Sequence, residues 1–202
     1  MKKLILVSLI SSFVSAAAFA GPGGNAGPAP DEGSVDTTSA TLTWEADVPV
    51  IIPGAWVTFT GEGGSMTLTS GDLNVEADGS FAASPIKLEL HTYDEPTNTP
   101  GELIQVGQDQ FNGMNVDSIN YSVTAPTFSS LKGTDVSNVV AKVSMDDQEV
   151  AFDAKIPSTS SETSWTVAGN DVASMVGGDT ITATTVVRAD VAFTSGGDAP
   201  EV

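Results

Sequence analysis

The chain has no cysteine. Disulfides and thiolate metal sites are therefore excluded, and stability must come from packing and strand pairing. It has one histidine, His91, so any Ser-His-Asp device would have to use that residue. Basic residues are scarce: seven Lys and Arg stand against 26 Asp and Glu, for a net charge of −19. So acidic a surface repels phosphate, which argues against nucleic acid and anionic lipid as partners and favours solubility and salt tolerance. Neither G-x-S-x-G nor H-E-x-x-H occurs, and with so many carboxylates a chance acid pair carries no weight as a glycosidase signature. Nothing calls for a cofactor or a metal, and no enzymatic activity is expected. Beyond the first twenty residues no apolar run is long enough to span a bilayer.

Those first residues have the form of a signal peptide. Lys2 and Lys3 precede an apolar run from Leu4 to Ala18, and Ala18-Phe19-Ala20 has the small-x-small pattern of a cleavage site. Residues 1–20 are therefore expected to be removed on export, and no cysteine follows them to take a lipid. Loss of the two lysines leaves five basic residues against the same 26 acids, a charge of −21 on the 182 residues that remain. One domain is expected at this length.

Residues 21–36 hold five glycines, three prolines and little to bury, which predicts a flexible tether. The sandwich domain is read as 37–194, with a disordered tail at 195–202. At the start of the domain, Ser39 to Ala46 alternates: Ala40, Leu42, Trp44 and Ala46 share one face of a strand, Thr41, Thr43 and Glu45 the other. Pro49 and Pro53 bracket Val50, Ile51 and Ile52, which places that piece at a sheet edge or crossing. Short alternating runs follow, divided by turns at Gly61 to Gly64, Ala77-Asp78-Gly79 and Asp146-Asp147. Asp94 to Gly101 reads as a loop, and Asp171 to Val176 as a single helical turn. From Ile181 to Phe193 one phase holds for 13 residues, long enough to bend between sheets or to flank two partners. The pattern predicts an all-β chain, an antiparallel immunoglobulin-like β-sandwich, with a closed barrel as the alternative.

On the predicted strand Ile86 to Thr92, His91 falls in phase with Lys87 and Glu89, which reads as a solvated polar face. The acidic turns Asp146 to Glu149 and Asp94-Glu95 are oxygen-rich but lack the spaced calcium-loop pattern. Trp44, Trp56 and Trp165 are expected in the core or closing its ends, and an aromatic sugar platform is the other use for them. Trp44 stands apart because it lies on the strand that precedes the proline step.

The stretch Ala40 to Ile52, A-T-L-T-W-E-A-D-V-P-V-I-I, resembles the start of mature fimbrial subunits of the alternate chaperone-usher class, the colonisation-factor and common-pilus families. The alternating part is Ala40 to Ala46, the acidic-proline step Asp47-Val48-Pro49, the apolar run Val50 to Ile52. The resemblance implies an immunoglobulin-like domain lacking one strand. A periplasmic chaperone lends that strand, and the N-terminal strand of the next subunit replaces it at the outer-membrane usher. Ala40, Leu42, Trp44 and Ala46 would then be the side chains that fill a neighbour's groove. The resemblance also implies a homopolymer, passage through the periplasm to a fimbrium on the cell surface, and a role in adhesion or biofilm. Two features depart from the family's pattern: the glycine- and proline-rich stretch ahead of the strand, and the additional Val48 in the step. The alternative expectation is a monomeric exported β-sandwich that binds a matrix component or carbohydrate, with Ser39 to Ala46 folded into its own sheet.

Overall fold

Alternation of apolar and polar residues over short runs, with glycine at the turns, dictates sheet rather than helix. The computed structural model, which describes residues 29–44 and 51–196, is all-β: two packed antiparallel sheets and, among the described residues, no helix. The first sheet runs β12-β8-β14-β1-β2, where β1 is Val35–Trp44, β2 Ile51–Ile52, β8 Met114–Val123, β12 Ile156–Ser158 and β14 Ile181–Ser195; β9, Thr127–Ser130, also pairs with β14. The second runs β11-β10-β13-β5-β4, from Gln148–Val150 through Val140–Met145, Glu162–Asn170 and Phe81–Ala83 to Leu73–Val75. It continues through β6, Ile86–Asp94, which pairs with β13, with β3 (Val57–Thr60) and with β7 (Thr99–Leu103).

The inner faces meet in one core. Phe59 from the second sheet stacks on Tyr121 from the first at 6.3 Å, and Tyr121 meets Trp165 from the second edge-on at the same distance. All three rings are fully buried. Their polar atoms are satisfied: Tyr121 donates its hydroxyl to the Ser160 carbonyl at 2.9 Å, and Trp165 donates its indole N–H to Thr163 Oγ1. Burial, aided by Asp146, pushes the Tyr121 phenol far above its ordinary pKa.

Several boundaries differ from the sequence expectation. β1 starts at Val35, so Val35 and Asp36 belong to the sheet rather than to a tether. Asp171 to Val176 forms no helical turn; Ala173 instead bridges to Asp135, and Asp171 and Ser174 take positive φ, which interrupts helical geometry. The loop expected over Asp94 to Gly101 is shorter, because Thr99–Leu103 returns as β7, an edge strand that tolerates Pro100. The long strand stays in one sheet and flanks two neighbours on one side, β9 over its first four residues and β8 from Val187 onward, with a bulge at Ala192/Phe193. The Asp146-Asp147 turn is as the sequence suggests: both residues have positive φ, the primed geometry that matches strand twist in a two-residue hairpin. β2 lies at the edge of its sheet, as the bracketing prolines require.

Candidate functional site

β1 pairs with β14 over its whole length, from Val35 opposite Ala192 to Trp44 opposite Ala183. The pairing extends one step earlier, where Gly33 N–H donates to the Phe193 carbonyl and Phe193 N–H to Ser34. The strand expected to be free to serve a neighbour thus completes the sheet of its own chain, as the alternative reading anticipated.

Its even-numbered residues face inward. Thr38 and Ala40 are each 1% exposed and Leu42 0%, so the phase predicted for Ala40 and Leu42 is the phase observed. Burying a leucine side chain this completely is worth about 1.5–3 kcal/mol. The backbone of Trp44 continues the pairing; its side chain, and Ala46 entirely, lie outside the described residues.

Two inward residues of β1 escape a reading based on apolar alternation. Asp36 is buried, and its carboxylate accepts three backbone N–H bonds from the segment before β3: Ala55 at 3.1 Å on Oδ1, Trp56 at 2.8 Å and Val57 at 3.0 Å on Oδ2. Thr38 donates its hydroxyl to the Ile52 carbonyl at 3.0 Å. These bonds tie the start of β1 to β2 and β3, while Thr37 on the outer face donates to Asp190 at 3.0 Å. The signal was present: the phase of Ala40 and Leu42, carried back through Thr38, reaches Asp36. Glycine- and proline-rich composition just upstream hid it.

His91 corrects the expectation of a solvated surface residue. It is 7% exposed, with Nδ1 2.9 Å from the Gly101 carbonyl and Nε2 3.0 Å from Glu89 Oε2. The turn Gly61–Ser65 folds over this face, and Gly63 and Gly64 donate their N–H groups to the two oxygens of Glu89, each at 2.9 Å. Burial raises the Glu89 pKa, but the donors Gly63, His91 and Gly64 together outweigh it and hold the carboxyl below its usual range. Both ring nitrogens are engaged, by Gly101 and Glu89, so His91 ties together β6, β7 and, through Glu89, the turn. A second carboxylate hub forms at Asp179, which takes Ser130 Oγ and the N–H groups of Lys132, Thr134 and Thr180. Burial pushes it up, the Ser130, Thr134 and Lys132 donors pull it down, and the net position is far below normal.

Of the other candidates, Trp165 lies in the core, and Trp56 is half-buried at one end, edge-on to Phe193 at 5.9 Å. Asp146 spends a carboxylate oxygen on the Ser164 N–H. Among the described residues no group of three or more His, Asp or Glu gathers as a metal site, and no helix is long and apolar enough to cross a membrane. Compared with protein-family models, curated proteins and solved structures, the chain matches none.

Proposed function

We propose that the protein is a non-enzymatic, exported structural subunit that assembles into a surface fibre by exchange of β1 between copies. What supports the reading is the placement of β1, which is the first strand among the described residues and fills, for ten residues, the slot beside β14, the last of them. Every bond it makes there, including those of Asp36 and Thr38, can be made by the same segment of a second molecule, because strand addition uses backbone pairing and alternate side chains. The self-paired form is then the monomer, and withdrawal of β1 opens a groove where Thr38, Ala40 and Leu42 now sit. The immunoglobulin-like type, the chaperone that would hold the open groove, and the usher belong to this reading through the resemblance of Ala40 to Ile52.

A second reading is a monomeric exported binding module. The three N–H bonds that hold Asp36 favour it, since they fasten β1 to its own domain. A disulfide trap separates the two. Cysteines placed at Thr41 and Val186, cross-strand partners on the outer face, link within one chain in a monomer and between chains in an exchanged fibre. Ladders of covalent oligomers from protein oxidised after assembly support exchange; crosslinked monomer alone, under conditions in which cells carry surface fibres, overturns it.

A further inference from the structure

The first sheet turns outward a face that is poor in charge, on a chain whose 26 acidic residues leave it at −19. Its described strands hold only the carboxylates of Asp36, Asp117 and Asp190. Asp36 is buried on the inner side, and Asp117 stands at the bulged end of the β8–β14 pairing. The outward centre of β14 is therefore left to Arg188 and Asp190, two positions apart and on the same side. Their own pairing is loose. Arg188 Nε lies 3.7 Å from Asp190 Oδ1, beyond hydrogen-bond length, and the guanidinium makes no hydrogen bond among the described residues. Uncharged residues surround the pair: Ser39 and Thr37 stand opposite Arg188 and Asp190 on β1, and Val186 and Ala192 lie farther along β14. Val35 and Ile52, on the same face, are 57% and 59% exposed.

We infer that this face binds the same face of a second copy, with β14 running antiparallel over β14 about a two-fold axis level with Ala189. Charge decides the occupant. Two copies this acidic repel wherever their carboxylates meet, so they can touch only where carboxylates are scarce, and depletion of charge marks the core of a contact face. A basic partner would find denser carboxylate elsewhere on the chain. In a two-fold contact each residue meets its counterpart reciprocally, so Arg188 of each copy meets Asp190 of the other, and the donors that its own chain leaves idle gain an acceptor. The same register sets Val186 over Ala192, Val35 over Thr41 and Thr37 over Ser39, with no like charges opposed. The inference does not depend on strand exchange, because β14 carries the face whichever chain supplies β1.

Sedimentation equilibrium of the purified protein from micromolar to millimolar concentration tests it, in about 0.15 M sodium chloride, where charge is screened beyond about 8 Å. A reversible dimer is expected. Arg188→Asp, on a side chain 56% exposed, and Asp190→Arg each oppose like charges across the axis and should weaken dimerisation by about tenfold or more. The two together exchange the signs and should restore it. Lys142→Asp makes the same change of net charge as Arg188→Asp but on the second sheet, where Lys142 pairs with Glu149, and should leave dimerisation unchanged. Circular dichroism checks that each variant is folded. Should Asp190→Arg lose its fold with the Thr37 bond, the contrast between Arg188→Asp and Lys142→Asp decides. A monomer at every concentration, oligomers indifferent to Arg188→Asp, equal weakening by Lys142→Asp, or a folded double variant that stays monomeric overturns the proposal. Oligomers indifferent to Arg188→Asp leave strand exchange standing, since β1 can swap without this face.

Discussion

The Asp36 carboxylate occupies the space a side chain at Gly54 would need: a Cβ there would stand 2.6 Å from Asp36 Oδ2 and 2.7 Å from the Thr37 carbonyl. Glycine at 54 is what lets the chain pass close enough for Ala55, Trp56 and Val57 to reach that carboxylate.

Asp36→Ala therefore strands three buried or half-buried donors. Leaving buried donors unsatisfied costs on the order of 1–3 kcal/mol, and bonds to a charged acceptor lie at the upper end. A loss of about 2–4 kcal/mol in urea unfolding is expected. Gly54→Ala should lose stability as well, by pushing the carboxylate off the same donors. A wild-type midpoint for Asp36→Ala would refute the anchor.

Leu42→Asp places a charge in a dry position and should unfold the isolated domain, since an unpaired buried carboxylate costs several kcal/mol. A synthetic peptide spanning 35–46 should restore folding in trans, with stability rising with peptide concentration as for any ligand of the native state. Rescue measured by circular dichroism separates an exchangeable strand from one that functions only in cis; a flat response to peptide defeats exchange.

Acid should weaken the protein through Glu89 and Asp179. Both carboxyls sit below their unfolded values of about 4.3 and 3.9. A depressed folded pKa contributes stability that is fully present above the unfolded value and lost as pH falls through the folded one. The stability advantage of wild type over Glu89→Gln should therefore be constant near neutral pH and shrink as pH drops below about 4. An advantage independent of pH would remove Glu89 from the account. His91→Ala, which deletes the tie to Gly101 and Glu89, should lower the melting temperature, whereas a solvated histidine would be replaced without effect.

With a net charge of −19, self-repulsion is a standing cost that salt screens over about 10 Å at 0.1 M. Sodium chloride should raise the melting temperature nearly as much as calcium chloride at matched ionic strength. A large rise at micromolar calcium alone would establish a specific site.

Period-two alternation made much of this architecture legible. Ile86, Leu88 and Leu90 announce β6, and the single phase from Ile181 to Phe193 announces β14, because the inward residues are apolar apart from Thr185. His91 was not legible from its own strand. Alternation assigns it to the outer face, and only the turn at Gly61–Ser65, some 26 residues earlier, covers that face and buries it. Asp36 was hidden for a related reason: an inward carboxylate is stable only because three N–H groups from another segment meet it.

The pairing of β1 with β14 also sets a timetable. Thr37 and Asp190, which meet across it, are 153 positions apart in the chain. Contacts that distant form late, because the loop-closure entropy must be met before they contribute. β1 therefore waits for β14, and during that interval the edge of β14 is open to whichever strand arrives first.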